Sequence, residues 1–275
     1  MVPAHNLSDR QLLDFYLEAG ADAAVGEAPV DRFAAVDPAP AAPRAARPAA
    51  PAATAFAAPL ATPVAPQAPD AAAMAAREAA KSATSLEELR AILDKFDGCA
   101  LKATATRLVF ADGNPKARVM FVGEAPGRDE DIEGLPFVGR SGKLLDRMLA
   151  AIGLDRTAVY IANIVPWRPP GNRTPTPQES QICLPFTLRQ IELVDPDILV
   201  CLGGPSAQTL LGIKDGITKT RGRWFTFNSG NREIRAIPTF HPAFLLRSPL
   251  QKRFAWRDFL AIKKALTALS EGNAG

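Results

Sequence analysis

The chain has 275 residues, 47% hydrophobic, 22% charged and 7% aromatic, a length that allows one or two domains at roughly 150 residues each. No apolar run reaches the ~18 residues needed to span a bilayer, and the N-terminus is amphipathic rather than signal-like, so a soluble cytoplasmic protein without a membrane partner is expected. The formal charge of +3 joins two unlike halves: residues 1–98 carry 8 Lys+Arg against 13 Asp+Glu, net −5, and residues 99–275 carry 24 against 16, net +8.

Leu7 to Gly20 reads as a short helix, with Leu12, Leu13, Tyr16 and Leu17 in one stripe, Ser8 as N-cap and Gly20 as stop. Residues 1–24 are therefore expected to be a terminal helix. Between Pro38 and Pro69, 15 alanines and 9 prolines fill 32 positions, a composition that offers little to a core. Residues 25–80 are read as an extended, disordered linker, residues 81–270 as the folded domain, and 271–275 as a tail. In that domain Ser85 and Glu88 form a capping-box pattern ahead of a helical stripe of Leu86, Leu89, Ile92, Leu93 and Phe96.

The pattern then alternates. Residues 118–123, 159–163, 197–203 and 233–240 are short apolar or β-branched runs of strand length. Residues 142–152, 177–194, 206–211 and 251–269 have helical periodicity. Near-continuous apolar strands separated by helices predict an α/β fold, a three-layer α/β/α arrangement around a four-stranded parallel sheet. In such sheets ligands bind beyond the carboxyl ends of the strands.

The loops at those ends carry the chemistry-bearing residues. After the first run, Gly123, Pro126 and Gly127 make a stiff turn through which backbone N–H groups can approach a ligand. Nearby Glu124, Asp129, Glu130 and Asp131 could bind a metal or position a water, and the last three are read as a solvated loop and helix start. Asn163 ends the second run, where its amide can face a base edge or cap a turn; the proline-stiffened loop that follows bears Arg173 and suits a phosphate backbone. Ser206, at a helix start after Gly203 and Gly204, is a phosphate contact or an ordinary N-cap. His241 follows the last run, and Leu245, flanked by Arg247, Lys252 and Arg253, looks like a wedge for entering a base stack.

In this order GEAPGRDED, PFVGRSGKLLDRML, IANIVPWRPPGNRTPTPQE, LGGPSAQTLLG and HPAFLLR resemble the uracil-DNA glycosylase superfamily, most closely its family 4 type, over about Cys99 to Leu269. The resemblance implies hydrolysis of the N-glycosidic bond of a flipped-out uracil, in single- or double-stranded DNA, leaving an abasic site in base excision repair. It implies a uracil pocket of Gly123, Ala125, Phe137 and Asn163, with Phe137 stacked on the base and Asn163 paired with its O4 and N3–H. His241 would donate to uracil O2 and Glu124 would hold the water, although better-known members carry an aspartate where this chain has Ala125. Gly127, Arg173, Ser206, Leu245 and Arg247 are the DNA contacts, and a monomer is expected. The alternative is a non-catalytic or product-holding reader of uracil or abasic DNA.

Family 4 enzymes hold an iron–sulfur cluster on four cysteines. Here Cys99 and Cys183 match two of those positions, Phe96 and Trp167 stand at the others, and Cys201 lies mid-strand. The expectation is that Cys99 and Cys183 are remnants and that the chain has no metal and no cofactor.

Overall fold

The computed structural model of the protein describes residues 69–272. The expected terminal helix at 1–24, the linker up to residue 68 and the end of the expected tail lie outside these residues. The strands are β1 (Asp112–Gly113), β2 (Val119–Gly123), β3 (Tyr160–Asn163), β4 (Ile198–Leu202), β5 (Phe225–Asn228) and β6 (Glu233–Thr239). The helices used below are α1 (Pro69–Ser82), α2 (Leu86–Lys95), α3 (Arg128–Glu133), α4 (Arg140–Ala151), α5 (Pro177–Val194), α6 (Gly204–Leu211), α7 (Ile217–Thr220), α8 (Pro242–Arg247) and α9 (Lys252–Gly272).

Among the described residues the sheet has six strands in the order β1-β3-β2-β4-β6-β5. The inner four are parallel, and the outer two pair antiparallel at the edges. The expected four-stranded sheet is thus the parallel centre of a larger one. The edges escape a reading by apolar runs because β1 is the dipeptide Asp-Gly and β5 alternates buried with exposed positions.

Period-two alternation divides the apolar residues of each strand between two faces. Met120, Val122, Tyr160, Ala162, Leu199 and Cys201 pack with Leu89, Leu93, Phe186 and Ile191 of α2 and α5. Val119, Phe121, Ile161, Ile198, Val200 and Leu202 pack with Leu145 and Leu149 of α4 and Phe259 and Ile262 of α9. Both faces are covered, as a parallel sheet requires. The chain moves from β2 to β3 on one side and on to β4 on the other, so the loops at the carboxyl ends of β2 and β4 diverge and leave a crevice.

Folded structure begins before the expected boundary at residue 81. In α1, Ala72, Ala76 and Ala80 recur every four residues and are buried with Ala83. Their small side chains belong to the same core as Ile182, Phe186 and Ile191 of α5, and Arg189 of α5 donates to the Ala83 carbonyl from Nε at 3.0 Å and Nη2 at 2.7 Å. Composition alone assigns these alanines to a linker; their spacing makes them an interface.

Near the carboxyl end of β6, Asp258 of α9 is buried. Its Oδ2 accepts from Thr239 Oγ1 at 2.7 Å and Arg221 Nε at 2.9 Å, and Arg221 Nη2 also reaches the carboxylate. Burial pushes the Asp258 carboxyl up, while the Arg221 and Thr239 bonds pull it down. This cluster fixes the last residue of β6 two positions before His241. Removing one partner of such a pair strands the other, so Asp258→Ala should destabilise the fold by about 3–5 kcal/mol, measured by urea denaturation.

Candidate active site

Beyond the carboxyl ends of β2, β3, β4 and β6 lies a cavity of about 630 Å³, lined among others by Glu124, Ala125, Phe137, Asn163, Gly203, Phe240 and His241. The strand ladder continues past β2 and β3: the Ile164 N–H donates to the Gly123 carbonyl and the Val165 N–H to the Glu124 carbonyl, both at 3.0 Å. Gly123 is thereby held opposite Asn163, and Glu124 follows one residue on, with both Glu124 and Asn163 lining the cavity.

Asn163 is 4% exposed, and among the described residues its buried Oδ1 has no hydrogen-bond partner; Glu124 Oε1 is in the same condition. Unpaired buried acceptors are uncommon in folded proteins, and here two share one cavity. Burial raises the pKa of the Glu124 carboxyl above its ordinary value of 4.5.

Phe137 forms a wall of the cavity. It is 4% exposed and has φ 55°, a left-handed conformation that costs a residue bearing a Cβ on the order of 1 kcal/mol. Its ring centroid lies 5.4 Å from that of His241, with 30° between the planes. Gly123 lies beneath: a Cβ there would come within 2.4 Å of Asn163 Oδ1 and 2.7 Å of Phe137 Cζ.

His241 is the N-cap of α8. Its Nδ1 accepts the Ala243 N–H at 3.1 Å, which leaves the proton of the neutral ring on Nε2. Burial, with the Arg247 charge as a smaller contribution, lowers its pKa to about 4. The ring is accordingly neutral at physiological pH.

Glu130 and Asp131, expected in a solvated loop, are buried. Glu130 Oε2 accepts the Gly127 N–H at 3.1 Å and its Oε1 the Gly139 N–H at 3.0 Å, so one carboxylate ties the starts of α3 and α4 together. Asp131 accepts the Thr106 N–H at 2.7 Å and the Thr106 hydroxyl at 2.9 Å. The Gly127 N–H is therefore engaged internally, while Gly127 itself lines the cavity.

Two further expectations are corrected. Ser206 is fully buried, and its hydroxyl donates to the Val122 carbonyl at 2.7 Å, locking α6 onto β2; it cannot reach a phosphate. Leu245 is fully buried with Phe240 and Ala255, because the HPAFLLR segment forms α8 rather than an open tip. The next residue, Leu246, is 36% exposed and borders a groove that it shares with Arg128, Arg140 and Arg247. Arg247 also lines the main cavity, as does Arg173, whose guanidinium grips both Glu179 oxygens at 2.7–2.8 Å.

The profile of the uracil DNA glycosylase superfamily matches residues 110–261, and the chain belongs to that superfamily. It is similar to proteins named type-4 uracil-DNA glycosylase. The one from Archaeoglobus fulgidus is 43% identical over 168 residues, 60% of this chain and 84% of that protein. The one from Thermotoga maritima is 45% identical over 167 residues, 59% and 85% of the two chains.

This kinship corrects the expectation of no cofactor. The type-4 class is the one whose members hold an iron–sulfur cluster, and a count of cysteines is not proof of its loss. Cys99 and Cys183 are buried with their Sγ atoms 3.7 Å apart, and these two thiols are the ones placed to serve such a group. They supply half of a four-thiolate set. At the other two positions Phe96 packs edge-on against Phe186 at 5.1 Å, and Trp167 is 2% exposed. Cys201 is buried within β4, where burial pushes its thiol up to about 12.

The crowding at Gly123 yields a direct expectation. Gly123→Ala should displace both Asn163 and Phe137 and raise the inhibition constant for free uracil by about tenfold or more, the size of a lost base-stacking contact. Inhibition kinetics on the purified variant measure this.

Proposed function

We propose that the chain is a monofunctional uracil-DNA glycosylase that hydrolyses the N-glycosidic bond of a uracil extruded from single- or double-stranded DNA, leaving an abasic site. The observation that carries this reading is the pair of unpartnered buried acceptors, Asn163 Oδ1 and Glu124 Oε1, in one cavity beside the Phe137 ring. The carbonyl calls for a donor such as uracil N3–H, and the carboxylate for a water. Similarity to type-4 glycosylases supports the same conclusion.

In this mechanism the uracil stacks on Phe137, and the Asn163 amide accepts from N3–H and donates to O4. Cytosine has no proton at N3 and an amino group at position 4, so it would leave polar groups unpaired at about 1–3 kcal/mol each. As the C1′–N1 bond breaks, its electron pair moves onto the base, and negative charge gathers at O2 within reach of the His241 Nε2–H. A neutral donor of this kind stabilises the departing anion without having to transfer its proton. Glu124 orients a water toward C1′ and takes its proton as the new C1′–O bond forms. Among the described residues no lysine lines the cavity, which favours hydrolysis over a covalent amine intermediate. Leu246, exposed beside Arg247, fills the gap left in the stack. The protein is taken to work as a monomer in the cytoplasm.

The test is incubation with an end-labelled uracil-containing oligonucleotide followed by alkali and a denaturing gel. Strand scission only after alkali is expected; a retarded but uncleaved band would instead support a non-catalytic reader. His241→Ala should lower kcat about 10²- to 10³-fold with little change in DNA binding, and Asn163→Asp should gain activity on cytosine. Because burial raises the Glu124 pKa, kcat/KM should fall with decreasing pH through a value above 4.5. His241 adds no step near 6.5, since it stays neutral down to about 4. Glu124→Gln should remove that acid limb and lower kcat by about 10²- to 10⁴-fold in a pH–rate series.

A further inference from the structure

Behind the Phe137 wall, outside the cavity, sits Arg156 in the turn that precedes β3. Its Nη2 donates to the Phe137 carbonyl and its Nη1 to the Pro136 carbonyl at 3.1 Å. The same guanidinium pairs with Asp112 of β1 at 2.6 Å and with Asp146 of α4 at 2.8 Å. One planar fork thus joins an edge strand, a helix and two consecutive carbonyls of the loop that carries the aromatic wall, a geometry lysine cannot reproduce. The Phe137 carbonyl also needs room on its other side. Gly142 provides it, since a Cβ there would lie 1.6 Å from that oxygen.

We propose that Arg156 is a positioning residue for base recognition: by holding the Pro136 and Phe137 carbonyls it keeps Phe137 in its left-handed backbone conformation, with the ring flat against the extruded base. The inference rests on the reading that Phe137 stacks on uracil. A left-handed phenylalanine relaxes toward negative φ unless its surroundings prevent it, and relaxation would turn the ring away from Gly123 and His241. The two aspartates hold the guanidinium in place, and Arg156 touches no substrate atom.

The test uses the full chain and reads uracil recognition apart from DNA binding: inhibition by free uracil, and affinity for DNA carrying a tetrahydrofuran abasic analogue. Arg156→Gln should raise the uracil inhibition constant about tenfold, as Phe137→Leu should through lost stacking, while abasic-DNA affinity stays within about twofold. The double variant should be no worse than Phe137→Leu alone, because both changes remove one interaction. Arg156→Lys keeps a charge between Asp112 and Asp146 and should give an intermediate constant. Arg118→Gln, which breaks a 2.6 Å pair with Asp197 at the opposite end of the strands, should leave the constant unchanged. Loss of thermal stability in Arg156→Gln and Arg156→Lys with wild-type uracil inhibition would overturn the proposal, as would additive effects in the double variant. If Phe137→Leu itself leaves the constant unchanged, the stacking reading fails instead.

Discussion

The close approach at Gly123 governs the site. A Cβ at that position would press on Asn163 Oδ1 and on the Phe137 ring together, so the end of β2 has to be bare for the β3 amide and the aromatic ring of the loop before α4 to meet above it. Parallel pairing sets Gly123 opposite Asn163 in register, and the ladder bonds continue one step further, to Glu124 at the rim of the cavity. The sheet serves as the ruler from which the polar groups are measured. Loops add the ring and the imidazole, and both depend on anchors outside the cavity.

Enclosure acts on the two titratable groups in opposite directions of pKa with one physical cause. Taking charge out of water raises the carboxyl of Glu124 and lowers the imidazole of His241. A carboxylate raised above its ordinary range is a stronger proton acceptor once ionised, and the imidazole is an uncharged donor near neutral pH; hydrolysis of a base–sugar bond calls for that pairing, a proton acceptor near the sugar and a hydrogen-bond donor near the departing base. The Nδ1 bond to Ala243 gives the histidine one tautomer, and Asp258, through Thr239 and Arg221, fixes the strand end that delivers it.

The parallel strands and the residues at their carboxyl ends were legible in the sequence because each strand is a dense apolar run followed by an abrupt change to Gly, Asn or His. Glu124, Asn163 and His241 are accordingly placed by topology, and Phe137 by the resemblance its PFVG motif carries. What stayed hidden depends on distant partners. Ser206 has the sequence signature of an N-cap, but its hydroxyl is claimed by Val122. Leu245 looks exposed only until the six-residue α8 forms and turns it inward, leaving Leu246 outside. The alanines of α1 read as linker by composition, and the pairing of Glu130 with Gly139, or of Arg156 with the Phe137 loop, spans separations at which sequence periodicity says nothing. The cofactor expectation failed for a related reason: it counted ligands position by position, whereas membership of the type-4 class is carried by the whole domain.

The central claim is that the cavity recognises uracil by its N3–H and O4 edge against an aromatic face. Calorimetric titration of the full chain with free uracil, N3-methyluracil and cytosine tests it most directly. The account predicts binding of uracil and a loss of at least about tenfold for each of the other two, whose N3 has no proton to give the Asn163 carbonyl. Equal affinity for all three would contradict it.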